Sequence, residues 1–365
     1  MAALSAFDPQ VVGFSIRNAD TALYPDSVFF LPDVADLIDS ARQACDARML
    51  IGGSALLAGP REVAAFMGCD CAVFGPGENA VLAILAEVEK GRELPAIFDG
   101  WQTGLAPDEA PERGVWIDYS PYLKGRGIAG FETQLGCRGN CGYCIEAGLP
   151  WRPRSIAAVL AELRSLGLAG CTEMHLCDCE FNQDLDFCKS LLGRIAAEDL
   201  EFNWSLYMKP WPCDSELMNL IARTGGRAIT LSVDSHSLLS GVYDYRCLAR
   251  FFQAARAEGI RVCVDLLIGF PGEELSQLKG IIDFLKRERP HGVGVNSWIR
   301  LYNRARLTRK ILSGRPRGRI IGDDLSCLKP VFYNRLGADD CDSLIGGDPI
   351  FRIEGLERRS NYERL

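Results

Sequence analysis

Histidine is nearly missing from this chain: there are 3 in 365 residues, His175, His236 and His291, and none lies in the N-terminal third. That third therefore has no imidazole to offer a metal or cofactor. A basic tail is also missing, and the net charge is −8. This argues against general nucleic-acid binding, because neutralising phosphates needs clustered Lys and Arg. No apolar run is long enough to span a bilayer. Met1 to Pro9 has neither the charged start nor the apolar stretch of a secretory leader. The 15 cysteines are odd in number and read as reduced thiols in a reducing compartment rather than as a disulfide framework. The expectation is a cytoplasmic protein of about two domains by length. Its 48% hydrophobic content is enough for a large core.

One stretch stands out, Gly136 to Cys144, which reads Gly-Cys-Arg-Gly-Asn-Cys-Gly-Tyr-Cys. Cys137, Cys141 and Cys144 fall in a C-x3-C-x2-C pattern. Glycines between them let the backbone wrap tightly and turn three sulfurs inward. Tetrahedral zinc wants four ligands, whereas three thiolates suit a 4Fe–4S cluster with one iron left open. A zinc loop or three buried thiols is the plainer reading.

The surrounding chain alternates strands and helices. In the N-terminal third, strands are expected near Gln10–Ser15, Arg48–Ile51 and Cys71–Phe74. Helices are expected over Phe30–Ala47, Arg61–Met67 and Asn79–Glu89. Glycine turns follow the second and third strands, as in a small parallel, doubly wound sheet. Residues 92–125 read as a linker broken by prolines and acids. From Ile128 to Leu301, about six strand–helix units follow, as in a parallel barrel with its active residues at the carboxyl ends of the strands. The strands are Ile128–Leu135, Glu173–Cys177, Phe202–Met208, Ala228–Val233, Ile260–Ile268 and Val293–Leu301. His175 reads as a core histidine.

Together, the cysteine spacing, with Tyr143 before the last cysteine, and the Gly269-Phe270-Pro271-Gly272-Glu273 turn after the fifth strand resemble the radical S-adenosylmethionine (radical SAM) superfamily. The resemblance implies an α/β fold: a partial (β/α)6 TIM-like barrel over 126–302, preceded by a small Rossmann-like unit over 1–91 and followed by a capping segment over 303–365. It implies that Cys137, Cys141 and Cys144 bind the cluster and that S-adenosylmethionine binds the open iron. Tyr143, Asp178, Glu180, Ser232, Asp234, Gly269, Pro271 and Gly272 would hold that cofactor. Asp234 stands where the family usually has glutamate. Cys179 is a candidate hydrogen-atom donor, and Arg300 and Tyr302 are candidates to face substrate, with a salt bridge as the rival role for Arg300.

Val12 to Ser15, Gly52-Gly53-Ser54 and Gly75 to Glu78 are similar to the later half of the cobalamin-binding domain that precedes the barrel in many members. The earlier strands of that domain and the Asp-x-His-x-x-Gly ligand loop are lacking. Cobalamin is therefore left open, and a cofactor-free brace is the main expectation for the front unit. The implied activity is reductive cleavage of S-adenosylmethionine, with hydrogen abstraction from a small, specialised-metabolite substrate leading to dehydration, dehydrogenation or rearrangement. The alternatives are cobalamin-dependent methyl transfer to carbon or phosphorus and a non-catalytic metal-binding scaffold. A flavodoxin- or ferredoxin-like protein would supply the electron. In the tail, Arg304, Arg306, Arg309, Lys310, Arg315, Arg317 and Arg319 form a basic run, read as a solvated face or a site for an anionic substrate. Cys327 and Cys341 read as isolated thiols.

Overall fold

The computed structural model describes residues 2–103, 118–125, 127–198 and 200–353. Its first unit is a parallel sheet of β1 (Val11–Ser15), β2 (Arg48–Gly52), β3 (Cys71–Phe74) and β4 (Ile97–Asp99), in that spatial order. Helices α1 (Leu31–Ala44), α2 (Pro60–Met67) and α3 (Glu78–Glu89) connect them. Apolar residues at helical spacing turn Leu31, Ile38 and Ala41 of α1 into the core with Met49 and Ile51. The fourth strand corrects the linker boundary. Ile97–Asp99 is a sheet strand paired to Ala72–Phe74, not surface connection. Three residues are too few to show a strand's alternation in sequence. The proline- and acid-rich part of the expected linker, residues 104–117, lies outside the described residues.

The second unit contains β5 (Ala129–Phe131), α4 (Ile156–Leu168), β6 (Glu173–Leu176), α5 (Leu185–Ile195), β7 (Asn203–Met208), α6 (Ser215–Arg223), β8 (Gly226–Asp234), α7 (Tyr245–Ala257), β9 (Arg261–Leu267), α8 (Leu275–Glu288) and β10 (Gly292–Asn296). The tail adds β11 (Ile299–Arg300), α9 (Arg306–Gly314), β12 (Arg319–Ile321), β13 (Phe332–Asn334), α10 (Ala338–Ile345) and β14 (Phe351–Ile353). The barrel sheet runs β14-β10-β9-β8-β7-β6-β5, parallel throughout.

Two expectations change here. The tail is not only a cap, because β14 pairs with β10 and adds a seventh strand to the barrel sheet. The last expected strand, Val293–Leu301, is two. β10 ends at Asn296, and Ile299–Arg300 leaves to pair antiparallel with β13. Likewise the first barrel strand stops at Phe131, and Gln134–Leu135 turns away to pair with Arg152–Pro153. In both places a long apolar run hides a change of partner, since hydropathy carries no information about which neighbour is paired.

Alternation sets the two faces of the barrel sheet. Trp204, Leu206 and Met208, then Ile229, Leu231 and Val233, then Val262, Val264 and Leu266 point outward into one apolar core beneath the helices. The residues between them, including Ser205, Tyr207, Thr230, Ser232, Cys263 and Asp265, face inward. His175 joins that inner face, where its Nδ1 lies 2.9 Å from the Ser205 hydroxyl. The helices start on side-chain caps: Ser155, Asp184, Asp214 and Asp244 each accept from the backbone N–H three residues on. Each is worth about 1 kcal/mol.

A buried ion pair joins the two units. Arg300 donates to Asp20 Oδ2 through Nε (3.1 Å) and Nη2 (2.8 Å), and both side chains are at most 3% accessible. Its remaining donors go to the carbonyls of Leu301, Cys327 and Leu328. Removing one member of such a pair strands a buried charge, at a cost of about 3–5 kcal/mol. Asp20→Ala should therefore lower the thermal unfolding midpoint markedly. Glu62→Ala, which removes the exposed 2.7 Å contact to Asn303, should leave it nearly unchanged; differential scanning calorimetry compares them.

Candidate active site

The cysteine loop lies at the carboxyl end of the barrel, between β5 and α4. Its approach is set by Asp178. This carboxylate accepts from Thr133 N (2.7 Å), Thr133 Oγ1 (2.5 Å), Gln134 N (3.3 Å) and Gln134 Nε2 (3.1 Å). Gln134 Nε2 also donates to the carbonyls of Glu180 (3.1 Å) and Phe181 (2.7 Å), and Trp151 Nε1 donates to Gln134 Oε1 (2.6 Å). The chain is thus pulled off β5 and turned over the end of β6. The role expected of Asp178, holding an ammonium group of the cofactor, is corrected: four donors from Thr133 and Gln134 already occupy it. Asn182 ties the same region to β7, donating to the carbonyls of Lys209 (2.9 Å) and Pro212 (2.6 Å) and accepting from Lys209 N (3.0 Å).

Cys137 is buried and Cys141 and Cys144 are half-buried. Gly139 sits among them. A Cβ there would lie 2.7 Å from Lys209 Nζ, 3.0 Å from Cys137 Sγ and 4.0 Å from Cys141 Sγ. Two sulfurs and an ammonium therefore crowd this position, and a side chain there would have to push aside the Lys209 ammonium and press on Cys137. Burial raises all three thiol pKa values, that of Cys144 to about 12. Burial opposes the Lys209 ammonium, but the charges at Cys141, Glu180 and Cys137 outweigh it and hold its pKa above the usual value. Thiols so buried ionise readily only when a metal takes the proton's place.

Tyr143 donates to Asp234 Oδ2 (3.3 Å) and packs against Phe270, with ring centroids 5.3 Å apart. Asp234 also caps the helix Ser235–Leu239 through Ser237 N (2.7 Å). The Gly269–Glu273 turn closes on itself: Glu273 Oε2 accepts from Gly269 N (2.7 Å) and Phe270 N (3.0 Å), and Ser235 Oγ donates to Glu273 Oε1. Gly269 has φ +93°, and a Cβ there would lie 2.4 Å from the Ser297 carbonyl. The motif therefore joins β9 to the break after β10. The structure thus links Tyr143, Asp234 and Gly269 through Phe270, with Pro271 and Gly272 completing the turn.

Glu180 is buried, and its pKa is pushed up to about 7 by burial. The Ser232 hydroxyl hydrogen-bonds it, while Oε2 has no partner. A buried carboxylate oxygen left unpaired is costly, so this atom suits an ammonium group. Cys179 hydrogen-bonds Glu146 and lies within electrostatic reach of Cys137 and Cys144. Burial pushes its pKa far up, so it stays a thiol.

Arg300 is corrected from a substrate-facing group to the buried tie described above, saturated by Asp20 and three carbonyls. Its guanidinium lies 4.4 Å over the Tyr302 ring. Tyr302 packs against the front core, and its hydroxyl remains within electrostatic reach of Cys144. Sequence reasoning missed Lys209 and Glu146. Lys209 directly follows the expected strand Phe202–Met208, at the carboxyl end where barrel sites form, and that position was its only signal.

Comparison with known proteins follows from this geometry. Residues 131–285 match the model of the radical SAM superfamily. The barrel segment thus carries a radical SAM domain. It is 23% identical to the tryptophan 2-C-methyltransferase of Streptomyces laurentii, covering 75% of this chain and 60% of that protein. It is also 23% identical to the cytidylyl-2-hydroxyethylphosphonate methyltransferase of Streptomyces wedmorensis, over 77% of this chain and 62% of that protein. The chain thus spans less than two thirds of these curated relatives. Among solved structures, the radical S-adenosylmethionine methyltransferase TsrM from Kitasatospora setae, with cobalamin and a [4Fe-4S] cluster bound, superposes with a TM-score of 0.87 at 21% identity. That match covers 98% of this chain and 84% of TsrM, and it establishes the fold, front unit included. Among the described residues no helix is long and apolar enough to cross a membrane.

Two outcomes test the radical SAM site. Gly139→Val should cut iron retained after anaerobic reconstitution by more than half. Gly142→Ala should retain iron, because its nearest neighbour would be Leu307 Cβ at 3.9 Å; iron assay on desalted protein decides. The second concerns pH. Burial raises Asp178 from 3.8 to about 6, against the pull of the Thr133 and Gln134 bonds. A raised folded-state pKa means that the folded chain binds the proton more tightly. The stabilisation is full below the unfolded pKa and is lost as pH rises through about 6. Denaturant midpoints of the cluster-free chain should therefore fall between about pH 4 and pH 6 more steeply in the native sequence than in Asp178→Asn.

Proposed function

We propose that this chain is a cobalamin-dependent radical SAM methyltransferase acting on a small molecule. This sets the expected hydrogen abstraction behind what was its alternative. One observation carries the reading: the carboxyl-end loops of the front sheet meet the barrel at residues that flank its strand ends. Arg304 lies with its guanidinium 5.1 Å from the Phe74 ring at the end of β3 and within electrostatic reach of Cys144. Arg152 donates to the Trp101 carbonyl just after β4, and Asp20, beyond β1, holds Arg300. Open α/β sheets take ligands outside the carboxyl ends of their strands, and here both sheets turn those ends toward one joint. The methyltransferase names of the relatives support the same reading, and their substrates, a free amino acid and a cytidylyl phosphonate by name, are both small molecules.

In this reading Cys137, Cys141 and Cys144 hold the cluster, and Glu180, Ser232, Asp234 and the Gly269–Gly272 backbone hold S-adenosylmethionine. The loops after β1 to β4 hold cobalamin without a histidine, since residues 1–99 contain none. The cluster and cobalamin, when bound, supply one-electron chemistry and a metal able to carry a methyl group. The chain's own work is to orient the reacting groups and exclude water. Lys209 offsets the negative charge of the thiolates. Tyr143 and Phe270 pack the loop against the cofactor turn. Cys179 remains a protonated thiol beside the loop, available as a hydrogen donor to a carbon radical.

Reconstitution with iron, sulfide and hydroxocobalamin, followed by desalting, should retain about four irons and one cobalamin per chain. Incubation with S-adenosylmethionine bearing a trideuterated methyl group and a panel of small-molecule acceptors should move that methyl onto one acceptor, read by mass spectrometry. Full iron with no cobalamin, together with release of 5′-deoxyadenosine, would return the chain to hydrogen abstraction.

A further inference from the structure

Strand β10 presents two glycines to the inside of the barrel. It reads Gly292-Val293-Gly294-Val295-Asn296, and Val293 and Val295 pack outward into the core beneath the helices. Alternation turns Gly292 and Gly294 inward, so two successive inner positions carry no side chain. Glycine inside a strand costs stability, and it marks a bulge or a place where something approaches the backbone closely. A bulge is not the reason, because the register with β9 runs unbroken from Cys263–Gly292 to Leu267–Asn296. Backbone strain and crowding do not demand glycine at 292 either. Gly292 has no positive φ, and a Cβ there would lie 3.6 Å from Cys263 Sγ, an ordinary contact.

The strands on either side carry opposite charges at the level of Gly294. Its register partner on β9 is Asp265, and its partner on β14 is Arg352. Phe351 and Ile353 pack against the outer core, so Arg352, between them, faces inward like Asp265. Both charged residues are half-buried. Strands lie about 4.8 Å apart, which puts the two Cα atoms about 10 Å from each other across the glycine. That spacing suits a small group that meets each side chain at charge-assisted hydrogen-bond distance, about 2.8 Å. The pair also adjoins the cofactor region. Asp265 is in register with Ser232, whose hydroxyl bonds Glu180, and Glu180 lies within electrostatic reach of Asp265. Glu180, Ser232, Asp265, Gly294 and Arg352 thus run as one band around the inside of the barrel.

We propose that Asp265 and Arg352, with the Gly292–Gly294 stretch between them, form the subsite for the head group of a free α-amino acid, its carboxylate on Arg352 and its ammonium on Asp265. This rests on the small-molecule methyltransferase reading above and names its substrate class. The guanidinium offers paired donors that match a carboxylate, and the aspartate offers acceptors to an ammonium. The bare backbone of β10 lets the ligand lie close against the strand. A ligand with a single charge gains from one of the two groups and forfeits the other. Arg352 belongs to the tail, so only the pairing of β14 with β10 brings it inside the barrel.

The test uses the full chain reconstituted with iron, sulfide and hydroxocobalamin, with S-adenosylhomocysteine in place of S-adenosylmethionine so that nothing turns over. Equilibrium dialysis against a pool of the standard L-amino acids, read by mass spectrometry, should show at least one retained. The amine and the 2-hydroxy acid that match it should each bind at least about tenfold more weakly. Arg352→Gln should weaken the amino acid at least about tenfold and leave the amine no weaker. Asp265→Asn should weaken the amino acid to a similar degree and leave the 2-hydroxy acid no weaker. An ion pair that only braces the barrel would not sort ligands in this way. Gly292→Ala keeps both charges. Its melting midpoint should hold or rise, while amino-acid binding weakens at least about threefold. Retention of no amino acid, equal binding of the truncated ligands, or charge variants that weaken all three ligands alike overturns the proposal. So does unaltered binding in Gly292→Ala. Failure of the methyltransferase reading is a separate result: cobalamin would not be retained, while an amino acid still binds with this selectivity.

Discussion

The buried carboxylate of Asp178 sets the course of the chain between β5 and the cysteine loop. Without the bonds from Thr133 and Gln134 to this one side chain, the apolar run from Ile128 would be free to continue as a strand. With them, it stops at Phe131, crosses the end of β6 and presents Cys137 under Lys209. Burying a charge or a proton-bearing carboxyl is tolerable only when its oxygens are filled, and here they are filled by the segment that must be steered. The same network anchors Gln134 to the Glu180 and Phe181 carbonyls, so the loop and the polar turn after β6 are placed as one piece.

A second constraint acts at the scale of the whole molecule. The front sheet and the barrel meet carboxyl end to carboxyl end, and the buried pair of Arg300 and Asp20 holds that meeting. The Arg300 bonds to Cys327 and Leu328 carbonyls bring the tail into the same joint. The tail is therefore woven through the molecule. It supplies β11 and β13 beside the joint, α9 over the cysteine loop and β14 at the barrel edge. A barrel of six strand–helix units is open along one side, and β14 pairs the exposed edge of β10, which would otherwise present unsatisfied backbone groups.

Electrostatics separates the inside of the site from its outside. Inside, burial raises the thiol pKa values, and the unpaired Glu180 oxygen and the Lys209 ammonium set groups of both signs beside the loop. Outside, α9 carries only cations. One helix thus faces two environments. Its apolar side steadies Tyr143 and the loop, and its polar side carries Arg309 and Lys310 into solvent.

Much of this was legible in the residues alone. The C-x3-C-x2-C spacing, the Gly269–Glu273 turn and the alternation of strands and helices each carry a local physical signature, so the radical SAM resemblance, the barrel and the parallel front sheet could be read without coordinates. Local signatures do not report partners. The role of Asp178, the burial of Arg300, the split of Val293–Leu301 and the strand status of Ile97–Asp99 all depend on groups between 25 and 280 positions away in the chain. By itself the sequence determined the chemistry on offer: three thiols in one glycine-rich loop, and no histidine in the front unit. Only the tertiary structure decided which polar groups were consumed by holding the fold and which were left facing the site, because hydrogen-bond saturation depends on what is buried beside each group.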